Sequence, residues 1–385
     1  MSPAATATHH PLRVALLFGG RSGEHGISCV TAGGIMAAID RSRFEPVPVG
    51  ITKDGRWTLA SEDPALWQLQ DGRLPQVPGD GPLVIPPQAA GSNEWYWVDG
   101  GDPCMHKLRP LGHIDVVFPL LHGPFGEDGT VQGALELTDA RYVGAGVLAS
   151  ALGMDKGYMK AVLEAQGLPV APYVVITPAE WREHPEGATE RALTLGLPLF
   201  VKPCRAGSSL GITKVERVQD LAPAIVEASR HDPRVLVEAM VHGREVECAV
   251  LGGRHGQAAR TAPPAEVIVD ASHPFYDFEA KYLQEAAATL ACPADLPPDV
   301  AAEIRALAVR TFDAVGAEGI SRVDFFYVPD GVPGAGRVII SEINTMPGFT
   351  PHSLYPRMWG VAGVSYTELI SELIDLALER PVGLR

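Results

Sequence analysis

The order of strand-like and helix-like runs in residues 13–146 constrains this chain more than any other feature. "RVALLF" (13–18) is followed by a helical stretch over 27–39 and then "FEPVPVGIT" (44–52). Further on come "IDVVFPLL" (114–121), a helix from Thr130 and "RYVGAG" (141–146). Strands separated by helices pair through crossovers, so the pattern predicts a parallel sheet with helices on its faces. Residues 53–110 interrupt the alternation with a stretch rich in Pro, Gly and Trp, which reads as an inserted hairpin region without a catalytic role.

A chain of 385 residues exceeds one hydrophobic core. Three domains are expected: 1–145, the parallel α/β unit; 146–240; and 241–385. In the second, a helix "MDKGYMKAVLEAQG" stops at Gly167, a C-cap, and "PLFVKPC" and "ITKVE" form an antiparallel hairpin through a glycine-rich connection. The third carries "REVECAVLGG", a Pro-flanked irregular segment (263–297), a long helix from Pro298, and the strands "SRVDFFYV" and "RVIISEINT". A last helix opens with the capping box "SYTE" at Ser365.

Those two late strands hold the clearest chemistry. Arg322 and Asp324 are two apart, as are Glu342 and Asn344, and residues i and i+2 of a strand share a face. A turn-rich connection makes the strands a hairpin, so one guanidinium, two carboxylates and a carboxamide gather on one face. Both strands are otherwise apolar, which places these groups in a cleft rather than a solvated ladder. Asp, Glu and Asn oxygens suit Mg²⁺, and an arginine beside them suits a transferring phosphoryl group.

Other stretches add to this. Lys202 ends a strand ahead of Gly207, Ser208, Ser209 and Gly211, an amide-rich loop that can cover phosphates, with an ordinary hairpin and an exposed lysine as the bland alternative. Glu238 and Glu245 flank a turn that suits an adenine and ribose pocket, or merely a solvated hairpin. "LHGPFGEDGTVQG" lies at the carboxyl end of a parallel strand, where such sheets bind ligands; His122 is a phosphate or substrate contact, while Glu127 and Asp128 are expected to cap the following helix. "HPFYDFEAKYL" reads as a lid, with packing of Phe275 and Phe278 as its bland rival.

Composition removes several classes. Forty-six acidic against 31 basic residues give a formal charge of −15, which argues against a nucleic-acid partner. Five dispersed cysteines without a CxxC pair form neither a disulfide framework nor a zinc site, as expected of a reducing cytoplasm. No secretory or membrane-spanning run is evident, so a soluble, cytoplasmic protein is expected. "GAGVLA" (144–149) matches a dinucleotide fingerprint, but its expected acid, Glu164, falls inside a helix, so it reads as a tight turn; the P-loop pattern is absent.

"HGPFGEDGTVQG" together with "SRVDFFYV…IISEINTMPGFTPHSLYP" resembles the D-alanine–D-alanine ligases of the ATP-grasp superfamily, from about Val14 to beyond Leu354. The resemblance implies a three-domain ATP-grasp architecture, with the N-terminal α/β domain followed by two α+β domains that enclose the nucleotide. It implies ligation of two D-alanines through a D-alanyl phosphate, with ATP as substrate, for peptidoglycan. Asp324, Glu342 and Asn344 would hold two Mg²⁺ ions, or Mn²⁺ in their place. Arg322 would stabilise the γ-phosphoryl group and the tetrahedral intermediate. Lys156 and Lys202 would meet ATP phosphates, Lys281 the γ-phosphate from the lid with Phe275 nearby, Glu238 and Glu245 adenine and ribose, and the backbone at Ala239 and Val241 the base.

Gly348, Ser353 and Leu354 would line the site of the second D-alanine. Glu24, in the loop "GGRSGEHGIS", would hold the ammonium of the first, linked to Ser208 and Tyr282; capping of the next helix is its structural alternative. The resemblance also implies a homodimer. Departures are Gly26 and Ala239, where the family often has an acid and a lysine. Relatives that make D-alanyl-D-lactate or D-alanyl-D-serine are the nearest rivals. An NAD-dependent oxidoreductase and a non-catalytic binder are the rivals of other classes.

Overall fold

The computed structural model describes residues 10–99, 107–207, 210–269, 288–332 and 337–382. The expectations for Ser208, Phe275, Lys281 and Tyr282 lie outside the described residues.

The expected parallel sheet is present. Strand β1 (Leu12–Gly19) pairs in parallel with β2 (Phe44–Ile51) and with the later β7 (Val116–Pro119), while β3 (Trp57–Leu59) adds antiparallel to β2. Apart from Arg13, β1 is apolar because both its faces are covered. Leu16 and Phe18 join a core with Ile35 and Met36 of helix α1 (His25–Ala38), whereas Ala15 and Leu17 face a second core. That second core includes Trp95 of an inserted three-stranded sheet, β4 (Val84–Ile85), β5 (Glu94–Asp99) and β6 (Lys107–His113). This inserted sheet thus covers one face of the parallel sheet, while Trp67 and Val77 pack with Leu16 and Phe18 on the other.

The run 141–146 is not a strand. It makes one parallel bridge, Val117 with Tyr142, after which Gly144 at φ +94° ends the extended path. Helix α2 (Thr130–Glu136) precedes it and α3 (Val147–Met154) follows. The helix expected from Met154 begins instead as α4 (Lys156–Ala165): Asp155 breaks the chain direction and caps α4, accepting from the amides of Gly157 at 3.0 Å and Tyr158 at 3.1 Å. Gly167 closes α4 at φ +65°.

The middle of the chain forms a four-stranded antiparallel sheet from β8 (Tyr173–Ile176), β9 (Leu199–Pro203), β10 (Thr213–Val215) and β11 (Val235–Ala239), in the order β10-β9-β11-β8. Helices α5 (Pro178–Glu183), α6 (Pro185–Leu193) and α7 (Val218–Ser229) belong to the same section, and α6 and α7 share its core. The largest sheet contains β12 (Arg244–Leu251), β13 (Arg260–Thr261), β14 (Ala265–Val269), β15 (Ala288–Ala291), β16 (Ile320–Tyr327) and β17 (Val338–Asn344). Helix α8 (Pro298–Ala314) packs on it; α9 (Leu354–Val361) and α10 (Tyr366–Glu379), with its capping box at Ser365, complete the chain.

The chain end folds back on the parallel sheet. Arg380 is buried, donates to the carbonyl of Gly144 at 2.5 Å, stacks on the Tyr142 ring and pairs with Glu318. Arg141 returns the contact, donating to the carbonyls of Leu378 and Arg380, each at 2.5 Å.

Candidate active site

The loops leaving β1 and β7 are neighbours because their strands are. Gly19 and Gly20, both at φ +89°, turn the chain from β1 into α1. A side chain at Gly19 would meet the Ile51 carbonyl at 2.4 Å, so only glycine fits there. Ser28 accepts from the Gly19 amide at 2.8 Å and donates to the Leu120 carbonyl at 2.6 Å; Ser22 donates to the His122 carbonyl at 2.7 Å. The two loops are stitched into one rim at the carboxyl edge of the sheet, where open α/β sheets hold ligands.

Glu24 stands at the N-cap position of α1, yet its side chain makes no capping hydrogen bond. It lines a polar cleft together with Gly123 and Gly207. A Cβ on Gly123 would lie 2.9 Å from Glu24 Oε2, and one on Gly207 3.4 Å, so two glycines let the carboxylate reach between their loops.

His122 and Glu127, from the loop after β7, stand on the same wall as Glu24. The Nδ1 atom of His122 lies 3.2 Å from the Met346 carbonyl, which can only accept, so Nδ1 carries the proton. Burial pulls this imidazole below its ordinary pKa, against the pull of Glu24, so Nε2 is a lone-pair acceptor. That atom is buried and has no hydrogen-bond partner among the described residues. Glu127 does not cap α2 as expected; its oxygens accept from the amides of Gly123 at 2.6 Å and Met346 at 3.3 Å. Burial, reinforced by Glu24, pushes Glu127 up to about 8. Asp128 keeps the local role, accepting from Thr130 at 3.0 Å and Phe125 at 2.8 Å.

The hairpin of β16 and β17 forms as expected, with Arg322 opposite Asn344 and Asp324 opposite Glu342. Arg322 grips Asp324 through two bonds, Nε at 2.7 Å and Nη2 at 2.6 Å, and Asn344 donates to the same carboxylate at 3.1 Å. Glu247 of β12, opposite Asp324, places its carboxylate 3.0 Å from Arg322. Burial opposes the guanidinium's charge, but Asp324 and Glu247 outweigh it and raise its pKa further. Lys156, at the start of α4, lies 3.0 Å from Glu342 and 3.2 Å from the Ala206 carbonyl. Burial works against its charge too, and Glu342 overcomes it.

Asp324, Glu342 and Asn344 offer only oxygen donors, as Mg²⁺ requires. No group of three His, Cys, Asp or Glu among the described residues forms a self-contained metal cage. Two carboxylates and a carboxamide fit an ion that takes its other ligands from water and phosphate.

Glu24, His122, Lys156, Arg322, Glu342, Asn344 and Gly348 all line the cleft. Ser353 turns back to Thr350, its Oγ accepting from that amide at 3.0 Å, and Leu354 is buried at the start of α9; neither lines the cleft. Lys202 lies on β9 with Nζ 2.7 Å from Glu238 Oε2. The amide of Ala239 is engaged by the Pro172 carbonyl at 2.9 Å, and Val241 packs as part of a small apolar cluster. Glu245 is exposed near the start of β12, on the face it shares with Glu247.

Glu247 and Lys160 were passed over in the sequence, and Glu127 was read as a cap. Glu127 gave an ambiguous signal, because an acid before a helix reads first as a cap. Glu247 was legible through its two-residue offset from Glu245. Lys160 was legible as the residue one helical turn beyond Lys156.

Among the described residues no helix is long and apolar enough to cross a membrane. The family model described as D-ala D-ala ligase N-terminus matches residues 13–145, and that for the D-ala D-ala ligase C-terminus matches 162–375. A curated D-alanine–D-alanine ligase of Paenarthrobacter aurescens is 54% identical over 374 residues, 97% of either chain. One from Streptomyces griseus is 51% identical, covering 97% of this chain and 94% of its own. Among solved structures, the D-alanine-D-alanine ligase of Coxiella burnetii superposes with a TM-score of 0.79 at 34% identity, covering 96% of this chain and 94% of that one. The VanG D-Ala:D-Ser ligase of Enterococcus faecalis gives 0.78 at 33%, covering 96% and 100%. With both family models placed end to end over its α/β architecture, the chain belongs to the D-alanine–D-alanine ligase family of ATP-grasp enzymes.

Proposed function

We propose that this chain joins two D-alanines into D-alanyl-D-alanine for peptidoglycan, consuming ATP to ADP and phosphate. The observation that carries the reading is the polarity of the cleft. One wall offers acceptors, the Glu24 carboxylate and the lone pair of His122 Nε2; the other offers the cations Arg322 and Lys156. An amino acid enters as a zwitterion, and acceptors suit its ammonium while cations suit a carboxylate becoming an acyl phosphate.

A carboxylate oxygen of the first D-alanine attacks the γ-phosphorus of ATP, and the bond from that phosphorus to the ADP oxygen breaks. The amine of the second D-alanine then attacks the carbonyl carbon; phosphate departs with its bridging oxygen and the nitrogen loses a proton. Glu24 holds the first ammonium, linked to Ser208 and Tyr282. Arg322 faces the charge that grows on the phosphoryl and carbonyl oxygens, and Gly348 bounds the second substrate. Lys156, Lys202 and Lys281 meet the phosphates, with Phe275 beside them, and Glu238, Glu245 and the backbone at Ala239 and Val241 receive adenosine. Two Mg²⁺ ions, or Mn²⁺, held by Asp324, Glu342 and Asn344 would neutralise phosphate charge when bound.

We assign domains to 1–145, 146–240 and 241–385, supported by the separate sheets of each section. A cytoplasmic homodimer is the matching assembly, supported by its ATP substrate and by family membership. D-alanyl-D-lactate or D-alanyl-D-serine formation is the alternative; the 54% identity to a D-alanine–D-alanine ligase against 33% to the D-Ala:D-Ser enzyme favours the dipeptide. Product analysis with D-alanine, D-lactate and D-serine offered together across pH tests it: D-alanyl-D-alanine should dominate, and a dominant depsipeptide would overturn the assignment.

A further inference from the structure

Two lysines lie one turn apart on α4, on the same side of the helix. Lys156 reaches Glu342 of the largest sheet, whereas Lys160 reaches Glu238 of the middle sheet. Lys160 is 1% exposed and does not line the cleft. Its ammonium stands 2.5 Å from Glu238 Oε1, while the other oxygen of that carboxylate is 2.7 Å from Lys202. The Tyr173 ring lies 5.7 Å from Lys160, and Glu342 also acts on it electrostatically. Glu238 therefore has two counter-ions, one sealed in the protein and one 13% exposed.

The two cannot serve the same purpose once nucleotide binds. A lysine recruited to phosphates must leave Glu238 or be shared, and a buried carboxylate without a counter-ion is strongly disfavoured. We propose that Lys160 is the resident counter-ion of Glu238, keeping that carboxylate anionic and oriented to accept from the amino group of adenine while Lys202 turns to the phosphates. Lys160 is thus a positioning residue for base selection. This rests on the adenine role proposed for Glu238. The geometry supports the division: the helix that presents Lys160 is anchored at Asp155, which pairs with Arg234, so its ammonium cannot follow the nucleotide. Burial lowers the Lys160 pKa and Glu238 opposes that, while Lys160 and Lys202 together overcome burial to lower Glu238 to about 2.

The test is steady-state kinetics of the full chain with ATP and GTP as alternative donors. Lys160→Met should raise the KM for ATP about tenfold or more, equivalent to about 1.4 kcal/mol, and narrow the preference for ATP over GTP. The KM for D-alanine should stay within about twofold. Adding Lys160→Met to Glu238→Gln should change nothing further, since the lysine acts through that carboxylate. If Lys160→Met fails to fold, the double variant, in which the partly exposed Lys202 is the charge that loses its partner, still permits the comparison with Glu238→Gln. A shift in base preference for Glu238→Gln that Lys160→Met does not reproduce, or equal effects on ATP and D-alanine, would overturn the proposal. Unchanged base preference in Glu238→Gln would instead remove the adenine reading on which it stands.

Discussion

The ammonium of Lys156 and the carboxylate of Glu342 stand 3.0 Å apart although 186 positions separate them in the chain. A candidate phosphate contact and a candidate metal ligand thus neutralise each other until ligands arrive. Lys156→Met should lower kcat/KM for ATP about 100-fold or more, the scale of one lost electrostatic contact in a phosphoryl-transfer site. D-alanine-dependent phosphate release measures it, with circular dichroism to show a retained fold.

Asp324 neutralises buried Arg322 and accepts from Asn344. Asp324→Ala would leave buried Arg322 with Glu247 as its close carboxylate and should cost about 1–3 kcal/mol through the lost charged hydrogen bonds. Asp324→Asn keeps the shape and should abolish turnover with a smaller loss of stability. Wild-type phosphate release from either variant would remove Asp324 from the metal set.

Glu24→Gln should raise the KM for the first D-alanine about tenfold or more, because a charge-assisted bond to the ammonium becomes a neutral one. Initial rates at varied D-alanine, fitted for two sites, decide this; a change confined to the second site contradicts the assignment.

Glu127 is held near 8 in the folded chain against its usual 4.5. The folded state therefore keeps a proton that the unfolded state releases, and stability falls as pH rises through that window. Relative to wild type, Glu127→Gln should gain stability steadily from pH 5 to about pH 8. Urea midpoints at both ends measure the change, and a parallel pair of curves would contradict it.

His25 behaves oppositely. Its Nδ1 donates to the Gly20 carbonyl at 2.6 Å and its Nε2 accepts from the Val77 amide at 3.0 Å, so the neutral ring is required. Burial lowers its pKa below the ordinary 6.5. The folded state resists protonation, so the ring's contribution is complete above about pH 6.5 and fades as acid protonates it. His25→Leu should cost about 1–3 kcal/mol at pH 8 through two lost bonds, and progressively less at lower pH.

Much of the site was legible because strand period and apolar context fix which side chains share a face. Arg322, Asp324, Glu342 and Asn344 follow from two-residue spacing alone. The failures were of another kind. "RYVGAG" has strand-forming residues, but Gly144 adopts a conformation that ends the strand. Glu127 sits where a cap is expected, and only the approach of Gly123 and Met346 from distant parts of the chain turns it into the cleft. Lys160 offered only its helical spacing from Lys156, since burial of a lysine depends on an acid 78 residues away.

The reciprocal clasp of Arg141 and Arg380 makes the last helix a cooperative partner of the first sheet. Fraying α10 would strip Arg380 from Tyr142 and Gly144 and open the core that Leu369, Leu373 and Ile374 share with Val14 and Leu16. Strand β1 and helix α10 therefore form a single unit of local unfolding, and their slowest amides should exchange with one common opening free energy.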